Sequence, residues 1–80
     1  MSLQRFDAVG FRRRLVSITQ ATGKSKPDLA AMCGMPVPTF EAYLYTDTLP
    51  GARALFNLAQ GLNVSADWLL FGGRDVRRVA

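Results

Sequence analysis

The sequence has no histidine and only one cysteine among its 80 residues. A single cysteine excludes an internal disulfide, and without histidine the usual zinc-ligand sets cannot be assembled. Histidine and clustered polar groups also supply most acid–base and nucleophilic catalysis, so we expect no enzyme, metal, cofactor or small-molecule substrate. Cys33 is expected to be a small buried hydrophobe.

Long apolar runs and alternating segments are missing as well. No apolar run approaches the roughly 20 residues of a membrane span, and the N-terminus lacks the apolar region of a signal peptide. We therefore expect a cytoplasmic protein without membrane contact. No segment alternates apolar and polar residues over the length of a strand, which favours an all-α fold.

Hydrophobic residues are instead spaced at helical intervals and make up 49% of the chain, enough for one modest core. The spacing predicts five helices, over about residues 6–21, 26–33, 37–45, 52–61 and 66–71. The residues expected to face inward are Phe11, Leu15 and Ile18 in the first helix, Leu55, Leu58, Ala59 and Leu62 in the fourth, and Leu69 in the fifth. Trp68 is expected either in the core or at a dimer contact.

Local signals delimit two short helices within residues 25–45. Ser25 is expected to cap the second helix, with Asp28 placed to complete a capping box, and Gly34 is expected to end it. After a three-residue turn, Pro36 and Pro38 fit the entry of the third helix. The buried side of that helix is expected to hold Phe40 and either Tyr43 or Leu44.

At these positions the chain resembles the phage-repressor, or Cro-like (XRE-type), helix-turn-helix family. The resemblance rests on Leu29, Ala30, Gly34 and Pro50 at family intervals, on FRRRL at 11–15, and on ADWLLFG at 66–72, similar to a D-W-L-L-x-G ending. It covers about residues 6–73. It implies a compact five-helix, lambda repressor-like headpiece over residues 1–73, followed by a basic tail at 74–80. It also implies a repressor-like transcriptional regulator that binds double-stranded DNA sequence-specifically as a homodimer, with the third helix in the major groove.

The resemblance assigns base contacts to the exposed side of the third helix. Those positions are Val37, Pro38, Thr39, Glu41 and Ala42. Glu41 can accept a hydrogen bond from cytosine N4, and Val37 or Ala42 can touch a thymine methyl group. Similar repressors often carry amides or basic residues here, and Asp47 stands in a loop where relatives often place a cation. A second departure lies at Thr19 and Leu44, where an apolar contact can replace an Arg–Glu pair of some relatives.

Basic charge surrounds this segment but is scarce within it. Residues 1–26 carry six basic and one acidic side chain (+5), residues 27–73 one and four (−3), and residues 74–80 three and one (+2). Lys24, Ser25 and Lys26 at the start of the second helix are the expected main phosphate contacts. Further phosphate contacts are expected from Arg13, the most outward-facing of the three adjacent arginines of the first helix, and from the hydroxyls of Thr46 and Thr48.

Leu70 and Phe71, beside two glycines at the end of the fifth helix, are the expected dimer contacts. An alternative function remains open, in which the helix-turn-helix is a scaffold for protein–protein interaction with weak or no DNA binding. The uncharged Val37 and Pro38 on the third helix favour that alternative, and the steep salt dependence of true DNA binding would discriminate the two.

Overall fold

Five α-helices joined by short loops form the part of the chain that the computed structural model describes, residues 7–73. They are α1 (Ala8–Thr22), α2 (Lys26–Met32), α3 (Val37–Tyr45), α4 (Ala52–Leu62) and α5 (Ala66–Phe71). No β-strand occurs in these residues, so the all-α prediction is confirmed. The predicted basic tail at 74–80 lies outside the described residues.

Side-chain caps set the starts of three helices. Asp7 accepts a hydrogen bond from the Val9 backbone N–H, so α1 begins at Ala8, slightly later than predicted. Ser25 and Ser65 accept from the backbone N–H groups of Asp28 and Trp68, each at 3.3 Å, and so begin α2 and α5. These hydrogen bonds satisfy backbone donors that have no partner inside the helix.

The turn between α2 and α3 depends on Gly34, whose φ of 66° is in the left-handed region that favours glycine. Its N–H donates to the carbonyl of Ala31, and the N–H of Met35 donates to that of Ala30. The chain therefore reverses quickly after α2, and α3 packs against both α1 and α2.

One core lies between the helices. Its largest fully buried side chains are Phe11, Leu15, Leu29, Cys33, Phe40, Leu58 and Leu69. Tyr43 and Leu44 are both buried, where the sequence left the choice open. Ile18 is half-buried and packs against the core, as predicted, and the neighbouring Thr19 is buried with its hydroxyl donating to the Val16 carbonyl at 2.8 Å.

Two contacts between helices fix the rest of the arrangement. Gly61 lies so close to α2 that an added Cβ would stand 2.6 Å from the Met32 carbonyl oxygen. Helix α4 ends at Leu62, one residue beyond the approximate predicted end, and Asn63, whose φ is 56°, caps it. At the other side of the core, the Arg14 guanidinium donates to the carbonyls of Leu69 and Leu70 and holds α5 on α1.

Candidate nucleic-acid interface

The inner side of α3 is committed to the core, and its outer side faces solvent. Phe40, Tyr43 and Leu44 are buried at 0%, 8% and 5% exposure. The first turn of α3 follows Pro36, has no side-chain cap and includes Pro38, which lacks an N–H. This side of α3 is thus available to a partner.

Four of the five residues predicted to contact bases lie on this accessible side, whereas Val37 packs partly against the core. Pro38 and Thr39 are exposed, and Val37, Glu41 and Ala42 are half-buried. Residues four apart in a helix are neighbours, so 37 and 41, and likewise 38 and 42, share one surface. Tyr45, 56% exposed, extends that surface by a further turn. Sequence reasoning missed Tyr45, although its spacing from Val37 and Glu41 was the signal.

Lys26 contacts this surface rather than standing apart from it. Its Nζ lies 3.5 Å from Glu41 Oε2 and 4.7 Å from the centroid of the Tyr45 ring. The pKa of Lys26 is raised, because a hydrogen bond to the Tyr45 side chain and the charge of Glu41 favour the ammonium form more than desolvation opposes it. Lys26 is therefore a cation placed beside the predicted base-contact residues.

Asp47, the anion in the loop after α3, is paired as well. Its Oδ1 lies 3.0 Å from Nη1 of Arg12 on α1. Sequence reasoning gave Arg12 no site role, because the two residues are far apart in the chain. Both carboxylates of this region, Glu41 and Asp47, thus have a cation at hand, which reduces the repulsion that they would exert on a phosphate.

The remaining predicted phosphate contacts differ in how free their polar groups are. Lys24 and Arg13 are exposed, and neither forms an ion pair with another residue of 7–73. The Ser25 oxygen caps α2. Thr46 Oγ1 donates to the Ala42 carbonyl at 2.6 Å and contacts Thr48 Oγ1. A phosphate contact from either threonine would therefore require its hydroxyl to turn away from that arrangement.

The predicted dimer contacts lie at the end of α5. Phe71 is 39% exposed, and Leu70 is half-buried. Trp68 is half-buried against the core rather than enclosed by it. The structure also exposes Phe56 on α4, at 59%, a residue to which the sequence gave no role.

Cys33 has the surroundings of an inert thiol. It is 2% exposed, and burial raises its pKa to about 11, so it is neutral at pH 7. Across residues 7–73, no group of three histidine, cysteine, aspartate or glutamate side chains is arranged to hold a metal ion. Within the same range, no helix combines the length and the apolar character needed to cross a membrane.

Comparisons with protein-family models, with curated proteins and with solved structures gave no match to this chain.

Proposed function

We propose that this protein is a sequence-specific double-stranded DNA-binding transcriptional regulator of the Cro-like kind. In this proposal α2 and α3 form the helix-turn-helix of a repressor headpiece, and α3 enters the major groove. The observation that carries the proposal is the accessibility of the outer side of α3, where Pro38 and Thr39 are exposed and Glu41 and Ala42 are half-buried; Val37 is half-buried at its edge.

Readout of bases would combine apolar contact with one acceptor. Val37 and Ala42 offer methyl groups for contact with the thymine methyl group, and the Thr39 hydroxyl can donate or accept. Glu41 accepts from cytosine N4. Such a surface selects thymine and cytosine in its half-site and disfavours guanine O6 and N7, which need a donor.

The Lys26–Glu41 pair would link readout to backbone contact. Their side chains are 46% and 39% exposed, so the pair contributes little stability and breaks at little cost. When Glu41 turns to a base, Lys26 is released to a phosphate. Lys24 and Arg13 supply further cations, and neither is paired with a carboxylate within residues 7–73.

The alternative function is a helix-turn-helix scaffold that binds another protein. The near-neutral character of the α3 surface favours it, since Lys26 and Arg12 are already paired with carboxylates. Such a partner would meet Val37, Pro38 and Tyr45 through apolar contact, and its binding would depend only weakly on salt.

Selection of bound sequences from a random duplex pool, at about 50 and 200 mM salt, tests the proposal. We expect an enriched site with two half-sites about 34 Å apart, bound by a homodimer. Lys24→Ala should weaken binding to all duplexes and lower the salt slope by about one. Gln60→Ala, an exposed polar truncation on α4, is the control and should leave both unchanged.

Glu41→Gln separates base readout from phosphate contact in the same selection. The amide prefers adenine, so the enriched base at one position should change, and affinity for all duplexes should rise as a negative charge is removed. A pool without enrichment, together with weak and salt-insensitive binding, contradicts the regulator proposal and favours the scaffold.

A further inference from the structure

A groove between α1, the start of α2 and the end of α3 adjoins the candidate DNA interface and shares Lys24, Lys26 and Tyr45 with it. It opens to solvent and encloses a volume of about 230 Å³. The residues that line it are Val16, Thr19, Gln20, Lys24, Lys26, Leu29, Leu44 and Tyr45. Three of them, Val16, Leu29 and Leu44, give it an aliphatic wall, and two lysines stand at its rim.

We propose that this groove binds a small amphipathic monocarboxylate, with the carboxylate between Lys24 and Lys26 and the apolar tail against the aliphatic wall. The inference goes beyond the proposed function, and the site exists whether or not α3 meets DNA.

The polar groups of the groove select an anion. Lys24 forms no ion pair with another residue of 7–73, and Lys26 contacts the partly exposed Glu41 and the Tyr45 ring. The Thr19 hydroxyl donates to the Val16 carbonyl. Gln20 is exposed and its amide can donate a hydrogen bond. No carboxylate lines the groove, so an anion meets attraction from both lysines without a like charge among the lining residues.

The size and the wall of the groove limit the tail. The volume is below the range of about 300 to 1,000 Å³ that is usual for drug-sized ligands. A tail of a few carbons therefore fits, and a sterol or a nucleotide does not. The Tyr45 ring, which already holds Lys26 Nζ over its face, gives the tail an aromatic neighbour.

Sodium hexanoate is the probe, titrated into the whole protein and followed through backbone amide signals by NMR. We expect saturable shifts at residues 16–29 and 44–45. Hexan-1-ol, which lacks the charge, and sulfate, which lacks the tail, should each bind about tenfold more weakly, because each keeps only one of the two contacts. Sulfate or hexanol binding as tightly as hexanoate, or shifts scattered over the surface, would overturn the proposal.

A matched pair of variants tests the two lysines. The double variant Lys24→Gln/Lys26→Gln should weaken hexanoate binding about tenfold, because it removes both charged donors. Arg53→Gln removes an exposed cation of α4 that does not line the groove, and should change the affinity less than twofold. Equal weakening in the two variants would show that net charge alone attracts the probe and would overturn the proposal. Circular dichroism checks that both variants keep the wild-type fold.

Discussion

The two carboxylates in and just after α3 are paired with cations from other helices. Glu41 on its own would repel a DNA phosphate, and the sequence gave no compensation for it. In the structure Lys26 approaches it to 3.5 Å, and Arg12 does the same for Asp47 at 3.0 Å. Ion pairs with this exposure contribute little to stability. They are better understood as exchangeable partners than as structural ties.

Among the glycines of residues 7–73, Gly61 is the one where an added side chain would meet the closest neighbouring atoms. Alanine would improve the helix propensity of α4 by about 1 kcal/mol in a free helix. Here its Cβ would stand 2.6 Å from the Met32 carbonyl and 2.7 Å from Cys33 Sγ. We expect Gly61→Ala to lower the free energy of unfolding by about 1 to 3 kcal/mol, because overpacking outweighs propensity. Urea denaturation followed by circular dichroism measures it.

Gly51→Ser is the control, since a Cβ at Gly51 meets nothing within 4 Å and its φ is −72°. Serine is also a favourable N-cap for α4, so this variant should be as stable as the wild type or slightly more so. A Gly61→Ala protein at least as stable as the wild type would show that α2 and α4 can separate at no cost.

Among the elements, α5 is the one most dependent on another helix. It spans only Ala66–Phe71, and its last carbonyls lack helical partners. The Arg14 Nε and Nη2 atoms donate to the carbonyls of Leu69 and Leu70 at 2.9 and 2.8 Å. Gly10 leaves room for this guanidinium, since a Cβ there would lie 3.1 Å from Arg14 Nη1. Arg14 is therefore a structural arginine within the basic run of α1.

Arg14→Gln should destabilise the fold by about 1.5 to 3 kcal/mol, the usual range for hydrogen bonds to a charged group. The amides of α5 should then exchange with solvent faster than those of α3. Arg14→Lys keeps the positive charge but lacks the planar guanidinium that donates to both carbonyls, so it should retain less than half of the stability that Arg14→Gln loses. Arg13→Gln, at an exposed neighbour, is the control and should have no effect on stability. Equal effects at the two arginines would contradict the role of Arg14.

Comparison of the elements shows which signals are local. Caps at Ser25 and Ser65 and the positive φ of Gly34 depend on neighbouring residues, and they were predicted correctly. The close approach of Gly61 to α2 was not predicted, because periodicity does not reveal contacts between helices. Accessibility of the α3 surface followed from the helical phase of Phe40. The ion-pair partners of Glu41 and Asp47 could not be predicted in this way, since Lys26 and Arg12 lie on other helices.

At the scale of the whole molecule, folding brings together the charges that the sequence separates. The basic first third and the acidic middle meet in two ion pairs, and Arg14 is taken by α5. Within residues 7–73, the cations that remain outside these contacts are Arg13, Lys24 and Arg53. In the proposed DNA complex, Arg13 and Lys24 are the free cations of this range that stand at predicted phosphate contacts, so their replacement should flatten the salt slope.

Association between two copies would also be decided by the arrangement of the surface. Apart from Tyr45 on α3, the exposed aromatics of residues 7–73 are Phe71 at 39% and Phe56 at 59% exposure, and both are candidates for the interface of the proposed homodimer. Phe71 adjoins half-buried Leu70 and follows half-buried Trp68 by less than a turn, so its neighbours on α5 are apolar. Phe56 shares its surroundings with Arg53 and Asn57. Single exposed aromatics among polar residues are common in monomers, whereas continuous apolar patches indicate contacts.

We therefore expect Phe71→Glu to weaken self-association at least about tenfold, because a charge would be buried at the contact. Phe56→Glu, with the same change in charge, should leave it within twofold. Sedimentation equilibrium measures both, and unchanged circular dichroism spectra exclude unfolding as the cause. If Phe56→Glu alone separates the copies, the interface lies on α4, and the two recognition helices of a dimer would be set at a different spacing on DNA. That spacing is read independently from the selected half-sites, so the two measurements must agree.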